Sequence, residues 1–279
     1  MAAAGVRMAV RERGGGAAGA VLAMIAVVLV ALVGGGTVLG VGPLAPSLPP
    51  DQVTDPKEML ARSLQATIDA SAVHLEGTVS GAIPGRFVDR PEAVVSLDGT
   101  VLEADVRPHD GKTRMHVASP GLEVELDTVT VWDGAWYRLD DDDPWIKASL
   151  GDASADAGVD INPLTLVDRL RSYLATPGMA PTSVDVPCAS ASAWCHQVRL
   201  DAGSDPAMIL ALLLPRERSE QLPPVDVVIT LQTDARTLRP ARLVVDATSA
   251  DGDVVIHVEL DASRWDEDLV IEEPPADAA

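Results

Sequence analysis

Few residues in this chain have the type and spacing to do chemistry. Five histidines, His74, His109, His116, His196 and His257, stand singly in segments that read as strands or turns. None belongs to an H-E-x-x-H motif or an i, i+4 pair, so the sequence spells out no zinc site. Each reads as an exposed strand residue. The two cysteines, Cys188 and Cys195, lie in SVDVPCASASAWCHQVRL, where two strand-like halves flank a short Ala/Ser turn. Facing each other across such a hairpin, they read as a disulfide formed in an oxidising compartment. A metal there would need more ligands than the neighbouring His196. Asp140 to Asp143 could offer carboxylate oxygens to Ca²⁺, but the run lacks the alternation and the glycine of a calcium loop and reads as a solvated turn. No G-x-S-x-G elbow supports a serine nucleophile. The glycine clusters at 14–16 and 34–36 precede no Lys-Ser/Thr, so no phosphate loop is present. The expectation is a protein that is not an enzyme, with no catalytic residue, metal or cofactor.

The elements around these residues must then serve binding. From Asp51 onward the chain holds 18 Lys plus Arg against 41 Asp plus Glu. That balance excludes nucleic acid as a partner and opposes broad docking on anionic headgroups. Aromatics are only 3% of the sequence, so an aliphatic core must hold the exported part together, which is large enough for one domain without metals.

The N-terminus sets the location. Residues 1–16 are short and basic, with Arg7, Arg11 and Arg13, and are expected to stay cytoplasmic. Residues 17–41 are apolar for longer than a secretory h-region and are long enough to cross a bilayer if Gly34 to Gly36 are tolerated. The run reads as an uncleaved transmembrane anchor; cleavage would instead give a secreted protein. Residues 42–55 are a proline-rich spacer. The extracytoplasmic domain is expected over 56–273, with an acidic tail at 274–279.

Within that domain the pattern is α+β. DPKEMLARSLQATIDAS offers Asp55 as N-cap, Pro56 at the first helical position and Leu60, Leu64 and Ile68 on one stripe. INPLTLVDRLRSYLAT repeats the device, and so does SDPAMILALLLPRE, whose Met208 to Leu214 is apolar all round and needs cover. Between them lie short Val- and Thr-rich segments broken by Gly, Pro or Asp, an antiparallel meander. In GLEVELDTVTV, Leu122, Val124 and Leu126 alternate with Glu123, Glu125 and Asp127, as a sheet with one dry and one wet face requires. Val225, Val227, Ile229 and Leu231 share a face, as do Val254, Ile256, Val258 and Leu260. The absence of a strand–helix–strand rhythm argues against a parallel sheet.

Taken together, the opening helix, SAVHLEGTVSG, VTVWDGAWYRLDDDDPWIKAS, INPLTLVDRL, VPC…WCHQVRL and TLQTDARTLRPARLVVDAT resemble the LppX/LprG/LprA/LprF lipoproteins of mycobacteria and related actinobacteria, part of a wider LolA-like group. The resemblance runs from about Asp55 to Pro274. It implies a large curved antiparallel sheet, a half-barrel wrapped round a few helices, enclosing an apolar cavity for the acyl chains of a lipid or lipoglycan. It also implies no catalytic residues. Those proteins carry an acylated lipobox cysteine; this chain has no cysteine before Cys188, so a transmembrane helix would replace the lipid anchor. The expected lipid-binding walls are Leu97, Val101, Val124, Leu126, Val227, Ile229, Val245, Ile256 and Val258, with Met208, Ile209 and Leu212 as a lid. Two rival readings remain. One is an ordinary close-packed core built from the same residues. The other is an envelope sensor or interaction module that uses the sheet to contact a protein partner.

Overall fold

The computed structural model describes residues 53–85, 93–131, 134–140, 142–149, 181–188, 194–201 and 225–274. Helix α1 (Pro56–Asp69) forms where its sequence asks for one: the Asp55 carboxylate accepts from the Lys57 N–H, and Pro56 fills the first turn, where no donor is needed. Its buried side chains are Met59, Leu60, Ser63, Leu64 and Thr67, a single stripe that includes the expected Leu60 and Leu64. It is the one α-helix among the described residues. The other two expected helices, the Met208–Leu212 lid and the 17–41 segment all lie outside them.

Twelve strands follow: β1 (Val73–Pro84), β2 (Val94–Ser96), β3 (Thr100–Arg107), β4 (Lys112–Ser119), β5 (Val124–Val131), β6 (Gly134–Arg138), β7 (Ile146–Ser149), β8 (Thr182–Pro187), β9 (Trp194–Asp201), β10 (Val225–Asp234), β11 (Pro240–Ser249) and β12 (Val255–Ser263). All belong to one open antiparallel sheet in the order β7-β6-β5-β4-β3-β1-β12-β11-β10-β9-β8, with β2 paired to β1. The first long strand and the last meet at the centre, and each half then meanders outward to an edge. Within each half consecutive strands are antiparallel neighbours, which agrees with the meander read from the sequence, while β7 and β8, consecutive in the chain, lie at opposite edges.

Alternation decides what each side of the sheet does. Leu75, Val79, Leu102, Ala104, Met115, Val117, Leu243, Val258 and Leu260 are buried on one side and join Met59 and Leu60 of α1 in a single core; this side is the helix face. The intervening residues form the outer face. Gly77 marks the tightest point of the sheet centre, since a Cβ there would stand 2.1 Å from Leu260 Cδ2 and 2.5 Å from the Glu259 carbonyl oxygen. Gly81 lies where β1, still paired to β12, leaves β3 and takes up β2, at a φ of +110° that only glycine adopts freely. Its N–H donates to the Asp98 carboxylate at 2.9 Å and its carbonyl accepts from Leu97 at 2.8 Å. The Gly81 N–H, followed by Ser96, holds the Asp98 carboxyl below its ordinary range.

Candidate functional site

The register brings several expected wall residues together. Ile229 of β10 stands opposite Val245 of β11, and Val245 opposite Val258 of β12. One step along, Val227 faces Ala247, and Ala247 faces Ile256. Five of the expected residues are therefore one contiguous apolar patch on the helix face of β10–β12. Val227 and Val258 are buried, while Ile229, Val245 and Ile256 are half-buried at the border of the core. Leu200 of β9, opposite Ile229 and buried, extends the row. Neither Leu200 nor Ala247 was singled out from the sequence, because only the register shows that they continue the patch.

Val124 and Leu126 occupy the same face of β5 and are half-buried, but they lie in the other half of the sheet. The row through Val124 continues to Ser119 and Thr100, whose hydroxyls bond each other at 2.7 Å in a fully buried position. Leu97 and Leu122 are buried in the turns beside this pair. Val124 nevertheless packs against the same core as Ile229, Val245 and Ile256, with Leu102 and Ala104 of β3 and Met115 and Val117 of β4 between the two regions and the Thr100–Ser119 pair at one end.

Val101 departs from the expectation. It is 44% exposed, between Thr78 and Ala118 on the outer face. Leu97 and Val101 would share a face in a continuous strand, but the turn at Asp98–Gly99 resets the alternation, and Leu102 points inward instead. The space under α1 is also smaller than a lipid cavity: a gap of about 30 Å³ lined by Ser63, Leu64, Leu231, Leu243, Leu260 and Trp265. That is room on the scale of a water molecule and far below what an acyl chain needs. The apolar surface left over lies beyond it, at Ile229, Val245 and Ile256.

The outer face is polar, and its histidines are not bare. His74, His116 and His257 are each directly opposite an aspartate on the neighbouring strand, with Nδ1 at 2.7 Å from Asp105, 3.0 Å from Asp127 and 2.7 Å from Asp246. On the helix face, in line with Val198 and Leu200 of β9, His196 is likewise opposite an aspartate, Asp185 of β8, at 2.7 Å. An ionised carboxylate only accepts, so each pair places the proton on Nδ1. The expectation of exposed strand residues is corrected for these four: His74 and His196 are buried, and His116 and His257 are half-buried. Asp127 is itself buried and takes Arg138 at 2.6 Å as well as His116, so the wet face expected for β5 is dry at this position. Arg242 joins Asp261 through two bonds of 2.6 and 2.8 Å and reaches Glu259 at 2.8 Å; Asp261, and with it Glu259, raises its already high pKa. Cys188 and Cys195 are joined in a disulfide across the β8–β9 hairpin. Among the described residues no group of His, Cys, Asp and Glu has the arrangement of a metal site.

No family model matches the chain, and no curated protein matches it in sequence. Solved structures do resemble it. They include the Mycobacterium tuberculosis lipoprotein LppX, at 15% identity and a TM-score of 0.49, covering 78% of this chain and 98% of that one. A LolA superfamily protein from Nitrosomonas europaea aligns at 9% identity and a TM-score of 0.28, covering 81% and 97%. MucB, in its complex with MucA(peri), aligns at 13% identity and a TM-score of 0.31, covering 80% of this chain and 58% of that one.

Proposed function

We propose that this protein is a membrane-tethered extracytoplasmic lipid-binding protein that shelters the acyl chains of a lipid or lipoglycan against the helix face of β10–β12. The observation that carries the reading is the patch of Ile229, Val245 and Ile256, aliphatic and half-buried on the same side as the core. Hydrocarbon laid on such a surface gains about 0.8 kcal/mol per methylene removed from water and asks for no directional chemistry. A sequence that spells out no catalytic motif suits that task. The resemblance in sequence to the LppX/LprG lipoproteins points the same way, and residues 17–41 supply the tether in place of an acylated cysteine.

The test is extraction with solvent of the exported domain, purified from its native envelope without detergent, followed by mass spectrometry. A stoichiometric lipid supports the proposal. An empty domain that instead co-purifies with a stoichiometric protein favours the interaction-module reading.

A further inference from the structure

The chain does not end with β12. At Arg264 and Asp266 the backbone takes left-handed conformations, φ 51° and 60°, at two non-glycine positions that cost of order 1 kcal/mol or more each unless the surroundings hold them. Here they are held. The Asp266 N–H donates to the Ala72 carbonyl at 2.9 Å, its carboxylate accepts from the Ser71 N–H at 2.8 Å, and Arg239 of the β10–β11 turn binds the same carboxylate. The Arg239 guanidinium also stands 5.5 Å over the Trp265 ring. The turn aims the chain away from β12 and toward the far edge of the sheet.

Residues 267–274 then pass the outgoing half of the sheet. Arg107, at the end of β3, donates to the Asp268 carboxylate at 3.0 Å and to the Leu269 carbonyl at 3.1 Å. Leu269, Ile271 and Pro274 are buried, and neither Leu269 nor Ile271 belongs to the main core. Glu273 reaches Lys147 of β7 at 3.8 Å. Lys147 in turn lies 4.6 Å over the ring of Trp136, its cross-strand partner on the outer face, and Trp136 pairs with Val129. Trp136 and Val129 are likewise buried outside the main core. One extended segment thus ties the β10–β11 turn and the α1–β1 junction to β3 and the β7 edge, spanning both halves of a sheet whose edge strands β7 and β8 are not paired to each other among the described residues.

We infer that residues 264–274 are a clasp that fixes how far the two halves of the sheet stand apart, and so governs access of hydrocarbon to the helix face. This inference rests on the lipid-binding reading above. The Asp266 node is its fixed end, and the buried Leu269 and Ile271 are its latch.

The test uses the full chain in phosphatidylcholine nanodiscs containing a diazirine-bearing C16 fatty acid, comparing the unmodified protein with Leu269→Asp/Ile271→Asp. Two quantities are read: hydrogen exchange of the β6 and β7 amides, and the rate at which photolabel appears on β10–β12 peptides. The clasp predicts exchange at least tenfold faster in β6 and β7, with β9–β11 unchanged, and labelling at least fivefold faster. Labelling at an unchanged rate in the variant, with uptake by the unmodified chain intact, overturns the clasp alone. No label on the unmodified chain sinks the lipid reading itself. If the double variant does not fold, Arg107→Gln, which removes the bonds to Asp268 and Leu269 and keeps the apolar latch, is expected to speed labelling about twofold; an unchanged rate counts against the clasp.

Discussion

His74 Nδ1 lies 2.7 Å from Asp105 across the β1–β3 ladder, and its Nε2 lies 3.5 Å from Glu76 on its own strand. The arrangement recurs on β12, where His257 stands between Asp246 at 2.7 Å and Glu259 at 3.8 Å. His74 is the buried member of the two. Removing its partner by Asp105→Ala therefore leaves a buried donor unanswered and is expected to cost about 1 to 3 kcal/mol. A double-mutant cycle with His74→Gln, followed by urea unfolding, should show a coupling of at least about 0.5 kcal/mol; strict additivity would remove the pair from the account.

Asp266 provides a pH prediction. The Ser71 N–H, with Arg239 in support, holds its carboxyl below the ordinary range. A carboxyl whose folded pKa is depressed stabilises the fold above its unfolded pKa, near 3.9, and that contribution fades as pH falls through the lower folded value. Asp266→Asn should lower the melting temperature at pH 7 and narrow its gap from the unmodified protein as pH drops below about 4. A gap independent of pH would contradict the assignment.

Gly77 lies under Leu260 with no room for a methyl group. Gly77→Ala must displace Leu260 and press on the Glu259 carbonyl, so a loss of about 1 to 3 kcal/mol is expected from overpacking. The check is the denaturant midpoint. A neutral result would mean that β1 and β12 slide apart easily at the sheet centre.

The disulfide closes a short loop, with Cys188 and Cys195 separated by 7 in sequence. Chain entropy for so small a ring gives about 2.5 kcal/mol. Among the described residues β8 is an edge strand with only β9 beside it, so Cys188→Ser/Cys195→Ser should raise hydrogen exchange in β8 and the start of β9 while leaving β1, β3 and β12 protected. Global loss of protection would show that the hairpin carries more of the fold than its position implies.

Much of the architecture could be read from residue patterns because local rules were obeyed. Asp55 and Pro56 announce α1, and uninterrupted alternation in β10 to β12 assigns Val227, Ile229, Ile256 and Val258 to one face without knowledge of their neighbours. What needed register stayed hidden. His74 and Asp105 are 31 residues apart, and His116 and Asp127 are 11 apart; nothing in either spacing says that they meet. Val101 was misplaced because the turn at Asp98–Gly99 breaks the alternation. The segment RWDEDLVIEEPP has neither a period of 2 nor one of 3.6, so the burial of Leu269 and Ile271 follows only from where Arg264 and Asp266 send the chain.

The central claim is that hydrocarbon lies on the helix face of β10–β12. Photolabelling of the full chain with the diazirine C16 fatty acid tests it most directly, with Ile229→Asp/Ile256→Asp compared against Val101→Asp on the opposite side of the sheet. Each charge on the apolar patch opposes burial of acyl methylenes, so the account predicts that label maps to peptides holding Ile229, Val245 and Ile256, falls at least tenfold in the first variant and is unchanged in the second. Label on the Val101 face, or label indifferent to Ile229→Asp/Ile256→Asp, would contradict it.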